Sequence, residues 1–127
     1  MDAQRLDEFE LFQGLDDEAL DFFAGRMHEV TVPIGAHLVK AGDYAYKLFV
    51  IFGGSAAVSR GDAPVATLER GEIFGEMALI EDSPRNADVV AITELSVGTL
   101  MSWDFREAMD RFPGFRARVE ALIDQRS

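Results

Sequence analysis

The length of 127 residues fits one domain spanning 1–127, and 48% hydrophobic with 28% charged residues is enough to form a folded core. A net charge of −11 argues against a nucleic-acid or membrane surface, and the absence of cysteine excludes disulfides and thiol chemistry. The chain has no apolar run of membrane-spanning length and no signal-peptide pattern, so a cytoplasmic location is expected.

The N-terminal part, about residues 1–26, is predicted to be helical. Asp16 is placed to cap a helix from about Asp17 to Arg26, because its side chain can accept from a free backbone N–H of the first turn. Packing within the domain is a simpler explanation of the apolar stripe than a partner surface. The apolar residues at roughly helical spacing are Phe9, Phe12, Leu15, Leu20, Phe22 and Phe23.

The middle part, about residues 27–101, consists of short β-type runs separated by glycine and proline. The predicted strands are 29–32, 36–41, 48–52, 56–59, 65–68, 87–92 and 95–101. Seven or eight short strands at this spacing predict a mainly β fold, an eight-stranded jelly roll with flanking helices.

The C-terminal part, about residues 102–126, returns to helical patterning. Ser102 or Asp104 can cap the first helix, and Pro113-Gly114 is predicted to interrupt it and to act as a hinge for the last one. The apolar positions of the final helix are Phe112, Phe115, Val119, Leu122 and Ile123.

One segment inside the β region, Gly71–Ala87, does not fit the pattern of strands and turns. Residues 76–80 are good helix formers, so a single helical turn is predicted between two strands. Gly75 allows a close backbone approach at the start of that turn, where free N–H groups can bind an anion. Ser83-Pro84 then turns the chain and brings Arg85 to the next strand.

Phosphate and hydroxyl groups are the ligand chemistry that these residues fit. Arg85 can grip a phosphate through parallel hydrogen bonds, whereas Glu76 would repel a phosphate and suits a vicinal hydroxyl instead. Ala87 is small enough to lie beside a ligand. Strand alternation predicts one face, the interior of the roll, for Arg85, Ala87, Val89 and Ala91.

The stretch Phe-Gly-Glu-Met-Ala-Leu-Ile-x-x-x-Pro-Arg-x-Ala, beginning at Phe74, resembles the phosphate-binding cassette of cyclic nucleotide-binding domains. The resemblance extends from about Leu11 to Ile123, and includes Pro33-x-Gly35 and Gly42-Asp43 in the turns of the roll. That family, which includes the cAMP receptor protein and the regulatory subunits of cAMP-dependent kinase, has an eight-stranded jelly roll with flanking helices.

The resemblance implies a role for each candidate residue. Glu76 would hold the ribose 2′-OH of the nucleotide, and Arg85 its cyclic phosphate. The expected backbone donors are those of Gly75, Met77 and Ala78, and the expected apolar wall near the base is Val65 and Leu68. The resemblance also implies that ligand binding moves the C-terminal helices.

Nucleotide choice rests on Asn86, the residue after the arginine. A threonine there is associated in this family with cGMP, because its hydroxyl can meet the guanine amino group. Asn86 lacks that hydroxyl, so cAMP is expected, with cGMP as the alternative. A sensor module of this kind would act through an effector domain or a protein partner.

Other function classes find little support. His28 and His37 lack metal-ligand spacing, and there is no Gly-x-Ser-x-Gly elbow, so no catalytic residue, metal or cofactor is expected. The helix-turn-helix that follows the roll in related transcription factors is missing from this sequence, so DNA binding is not expected. The remaining alternative is a roll that binds no nucleotide and docks a protein partner.

Overall fold

The computed structural model describes residues 2–44, 46–76, 80 and 85–126. The chain forms two compact units. One unit is built from the two ends of the chain, up to Met27 and from Trp103 onward, and the other is the middle part His28–Ser102. The boundaries follow the predicted change from helical to β patterning.

The helices whose bounds are described lie in the two terminal parts of the chain. Asp16 caps α2, where the Ala19 backbone N–H donates to its Oδ1 at 2.9 Å, as the sequence predicted. The helices are α1 (Ala3–Leu6), a 3-10 helix (Glu10–Phe12), α2 (Asp17–Arg26), α3 (Ser102–Arg111) and α4 (Pro113–Arg126).

Aromatic side chains form the centre of the helical unit. The ring of Phe23 lies 5.0 Å from that of Phe12 and 4.6 Å from that of Phe115 between centroids. All three side chains are fully buried, so the apolar stripe serves internal packing. The first C-terminal helix ends at Arg111, as predicted for the break at Pro113-Gly114, and Pro113 begins α4, where its missing N–H costs nothing.

Within the described residues, eight strands form two four-stranded antiparallel sheets, which confirms the predicted jelly roll. The sheet orders are β1-β8-β3-β6 and β2-β7-β4-β5. The strands are β1 (His28–Val32), β2 (His37–Val39), β3 (Lys47–Gly53), β4 (Ala56–Arg60), β5 (Ala63–Leu68), β6 (Ile73–Phe74), β7 (Asp88–Ala91) and β8 (Leu95–Met101).

The strand β3 is an inner strand of the first sheet and is buried along Leu48–Phe52. It pairs with β8 over most of its length and with the two-residue strand β6 on its other side. An inner strand covered on both faces needs a continuous apolar run, which is the pattern of this segment. The apolar core of the roll consists of Val39, Phe49, Ile51, Ala56, Leu68, Phe74, Val89, Ala91, Leu95 and Val97.

Strand β2 covers only His37–Val39 of the predicted 36–41, and two further strands differ from their prediction. Strand β6 was not predicted, because Ile73–Phe74 is too short for a periodic signal. The strand β5 begins at Ala63 rather than at Val65 and contains Pro64, which is tolerated because β5 is an edge strand. The register with β4 shifts at Val58/Ser59, beside the residue that pairs with the proline.

Candidate functional site

The site begins where β6 ends, at Gly75. Its φ is +89°, a conformation that side chains rarely adopt. A Cβ atom at this position would lie 2.5 Å from Nη1 of Arg85 and 2.9 Å from the carbonyl oxygen of Lys47. Both distances are shorter than real contacts, so only glycine fits beside the arginine. The predicted close approach at Gly75 is present, and its neighbour is a side chain of the protein itself.

The predicted helical turn is described only at its two ends. Glu76 and Ile80 are helical, while residues 77–79 and 81–84 lie outside the described residues. The predictions for the backbone of Met77 and Ala78, and for the Ser83-Pro84 turn, fall in those gaps. Glu76 is only 1% exposed, so its carboxyl group lies in the interior and not on a solvated helix face.

Arg85 lies against two backbone carbonyls, one from the first residue of β3 and one from the residue after β6. Its Nη1 donates to the oxygen of Gly75 at 2.8 Å, and its Nη2 donates to the oxygen of Lys47 at 2.6 Å. The residue is 8% exposed. Both carbonyls are neutral, so these bonds fix the guanidinium without cancelling its charge.

The backbone of Arg85 is held as firmly as its side chain. The N–H of Arg85 donates to the oxygen of Asp43 at 2.9 Å, and the N–H of Gly42 donates to the oxygen of Arg85 at 2.8 Å. The predicted Gly42-Asp43 turn therefore anchors the arginine. Gly42 has a φ of +90°, which explains the glycine in this turn.

Two opposing effects act on the charge of Arg85. Burial lowers the pKa of the guanidinium, because water no longer solvates the cation, while the negative charge of Glu76 raises it. The guanidinium nevertheless stays protonated at neutral pH. The site thus combines a buried cation and a buried acid near one glycine.

The residues after Arg85 alternate between the interior and the solvent. Ala87, Val89 and Ala91 are buried like Arg85, whereas Asn86 is exposed. This confirms the predicted face, which leads from the arginine along β7 into the core of the roll. Asn86 therefore lies on the opposite face from Arg85.

The two residues proposed as a wall near the base have different environments. Leu68 is 6% exposed and belongs to the apolar core of the roll, whereas Val65 is 50% exposed. Both lie on the edge strand β5, at odd spacing and so on opposite faces. The structure does not bring them together.

Metal and membrane chemistry gain no support in the described part of the chain. His28 and His37 are exposed and begin strands of different sheets. Among the residues with described positions, no group of three or more histidine, aspartate or glutamate side chains could hold a metal ion. None of the described helices combines the length and the apolar character needed to span a bilayer.

Sequence comparison decides the family. The profile of the cyclic nucleotide-binding domain matches residues 29–112, which contain the whole roll after its first residue and the candidate site. The chain belongs to the cyclic nucleotide-binding domain family. The eight-stranded roll with flanking helices and the segment around Gly75 and Arg85 agree with this assignment.

Relatives of this cyclic nucleotide-binding domain occur in larger signalling proteins. The present chain is 40% identical over 96 residues to a cyclic nucleotide-gated potassium channel of Rhizobium etli, and the match covers 76% of this chain and 27% of the channel. It is 31% identical over 88 residues to a cAMP-dependent protein kinase regulatory subunit of Hypocrea atroviridis, covering 69% of this chain and 19% of the subunit. The chain thus spans about a quarter or less of these two relatives.

A solved structure agrees in fold. The Thermus thermophilus catabolite activator protein superposes with a TM-score of 0.79 at 26% identity, over 92% of this chain and 57% of that one. The similarity extends beyond the roll to the flanking helices of this domain.

Sequence reasoning missed the carbonyl oxygen of Lys47 as a partner of Arg85. A backbone acceptor has no residue type by which it can be recognised, so no motif marks it. Lys47 begins the buried strand β3, which pairs with β6, and Gly75 follows β6 directly. This position was the one available signal.

Proposed function

We propose that the domain binds one cyclic nucleotide per chain, with the cyclic phosphate on Arg85 and the ribose 2′-OH on Glu76. The observation that carries this proposal is the buried guanidinium of Arg85, held by two neutral carbonyls beside Gly75. A cation removed from water and held by neutral acceptors gains most from an anion that completes its hydrogen bonds.

Local electrostatics support an anionic ligand at this position despite the acidic chain. The net charge of −11 repels anions at long range, so binding has to come from short charged hydrogen bonds. Each hydrogen bond between a phosphate and the guanidinium would contribute roughly 1.5–3 kcal/mol. The negative charge of Glu76 repels the phosphate and so lowers this contribution. The loss is offset if the carboxylate accepts a hydrogen bond from a hydroxyl of the same ligand.

We infer that cAMP is preferred over cGMP. Asn86 stands where a hydroxyl side chain would favour guanine, and its amide side chain offers no such hydroxyl. One relative is a cAMP-dependent protein kinase regulatory subunit, which agrees with cAMP as the ligand. The matched region covers 19% of that subunit. The ligand chemistry of the two nucleotides at Arg85 and Glu76 is the same.

A binding domain of this kind acts as a sensor and regulator and not as an enzyme. Its ligand is held by hydrogen bonds, and the proposed roles of Glu76 and Arg85 include no step that forms or breaks a covalent bond. The output would pass to an effector domain or protein partner in the cytoplasm, as suits a module whose relatives are a gated channel and a kinase subunit.

A second candidate is a protein-docking module that binds no nucleotide. It is favoured by Tyr44 and Tyr46, two exposed rings 6.3 Å apart on the loop before β3. Exposed aromatic side chains are enriched at protein interfaces. The two candidates differ in one measurable property, which is the response of the domain to nucleotide.

Thermal unfolding with and without cAMP tests the proposal. A ligand that binds only the folded state at 100 times its dissociation constant stabilises it by about 2.7 kcal/mol, so the melting temperature should rise by several degrees. The control is 5′-AMP, which has the same base and ribose but no cyclic phosphate. No shift with cAMP at millimolar concentration would contradict the proposal and leave the docking module. An equal shift with 5′-AMP would also contradict it, because binding would then not depend on the cyclic phosphate.

A further inference from the structure

The strand pair β3–β6 carries a stacked pair of phenylalanines next to the site. Phe49 and Phe74 are opposite each other in the register of the two strands. Their ring centroids are 4.7 Å apart and their planes differ by 3°. Both residues are buried and belong to the core of the roll. Two rings stacked in a close-packed core have little freedom to move.

The guanidinium of Arg85 lies next to this stack. Its Cζ atom is 6.0 Å from the centroid of the Phe49 ring. The two carbonyls that accept from its Nη atoms flank the same pair of residues in sequence. Lys47 precedes Phe49 by two positions on β3, and Gly75 follows Phe74 directly. One short strand pair therefore supplies the ring and both carbonyls.

The ring and the carbonyls restrain the guanidinium in different ways. The two carbonyls use two of its five N–H donors, while an aromatic face attracts a cation without using any of them. The attraction is stronger where the cation is removed from water, as Arg85 is. A cation fixed in this way needs little ordering when an anion arrives, which favours binding.

We propose that Phe49, held in place by Phe74, is a positioning residue that fixes the Arg85 guanidinium for the phosphate of the ligand. The inference rests on the proposed function, because it assigns how the phosphate-binding arginine is oriented. It adds a residue that does not itself touch the ligand. The role depends on the flat face of the ring, which no aliphatic side chain of similar size provides.

The variant Phe49→Leu tests the role, with Phe52→Leu as the matched control. Phe52 is a buried phenylalanine of the same strand, outside the group of described residues that forms the apolar core of the roll with Phe49. Loss of the ring at Phe49 should weaken cAMP binding about tenfold by calorimetry, whereas the control should change it less than about twofold. If Phe49→Leu does not fold, Phe49→Met replaces it, because methionine adapts to irregular gaps in a core.

The same substitution in an Arg85→Gln background separates positioning from general support of the pocket. Glutamine carries no cation for the ring to attract, so Phe49→Leu should there change the weak remaining affinity less than about twofold. A tenfold loss in both backgrounds, or an equal loss in the Phe52→Leu control, would overturn the inference. Absence of cAMP binding by the unmodified chain would overturn the proposed function itself, which is a distinct outcome.

Discussion

Arg26 in the helical unit and Arg85 in the roll are held in opposite ways. Arg26 has a side chain that is 43% exposed, and its Nη1 donates to Oδ1 of Asp104 at 2.6 Å, with Glu107 nearby. The hydrogen bond to Asp104 raises the pKa of Arg26. Arg85 is buried, donates to two backbone carbonyls, and has a pKa that burial lowers.

The difference shows which arginine is available to a ligand. The charge of Arg26 is already matched by carboxylates at a surface where water and salt screen it, so it needs no further anion. The hydrogen bonds of Arg85 go to neutral oxygens, and the attraction of Glu76 only partly offsets the cost of burial. Arg26 therefore serves the structure of the helical unit, whereas Arg85 is suited to bind an anion.

Replacing the two arginines in turn is expected to give the largest difference. Arg85→Ala should weaken cAMP binding about 100-fold, the equivalent of one strong charged hydrogen bond. Arg26→Ala should change the dissociation constant of cAMP less than about twofold, because this exposed arginine is already paired with carboxylates and does not need a further anion. Calorimetric titration measures both. If Arg85→Ala is largely unfolded and its remaining folded molecules bind cAMP with unchanged affinity, Arg85 is a structural residue. The contrast drawn between Arg26 and Arg85 would then be wrong.

Two glycines with the same backbone conformation differ in their surroundings. Gly71 and Gly75 both have a φ of +89°, but a Cβ at Gly71 would meet open space, whereas one at Gly75 would meet Arg85. Gly71→Ala should lower the free energy of unfolding by about 1–2 kcal/mol through backbone strain alone. Gly75→Ala should lower it further and also weaken cAMP binding about tenfold, since it displaces the guanidinium.

Urea denaturation and calorimetry distinguish the two glycine variants. If both lose the same stability and neither changes the affinity for cAMP, the close approach at Gly75 has no role in binding. The result would leave the conformation of the backbone as the sole reason for glycine at that position.

A smaller effect is expected from Asn86→Thr. The hydroxyl of the introduced threonine would lie on the solvent-facing side of the segment after Arg85, where Asn86 is exposed. The ratio of cGMP to cAMP affinity should rise about threefold, roughly the contribution of one neutral hydrogen bond. Competition binding with both nucleotides measures it. Preference for cGMP in the unmodified chain would remove the argument from Asn86.

The smallest and most local effect concerns α4. Amide exchange across 111–126 should change on cAMP binding if the ligand favours one arrangement of this helix over another. Phe115 and Val119 are buried within the helical unit, so a change in protection would report altered packing and not fraying. Identical protection in the two states, with binding confirmed, would make α4 a static packing element.

The fold could be predicted because its signals are local. The cap at Asp16, the buried run of β3 and the alternation after Arg85 each follow from a few neighbouring side chains. The strand β6 could not be predicted, since two residues have no period, and Pro64 concealed the start of β5. Edge position in a sheet depends on distant pairing that no local pattern encodes.

The candidate site was predicted only in part, because local signals mark some of its residues and not others. Glycine, glutamate and arginine carry recognisable chemistry, and the structure brings Gly75 and Arg85 into contact. The restraints on the arginine were not predicted, because they come from the carbonyl of Lys47 and the ring of Phe49 on a strand far away in sequence. Side-chain types identify a ligand group, while tertiary packing determines how it is oriented.

A crystal structure of the domain grown with cAMP would show directly whether the nucleotide binds at Arg85 and Glu76. We expect a cyclic phosphate oxygen within hydrogen-bonding distance of the Arg85 guanidinium, at about 2.7–2.9 Å, and the ribose 2′-OH on the carboxylate of Glu76. A nucleotide bound elsewhere, or one whose phosphate makes no contact with Arg85 while the guanidinium keeps only its bonds to Gly75 and Lys47, would contradict it.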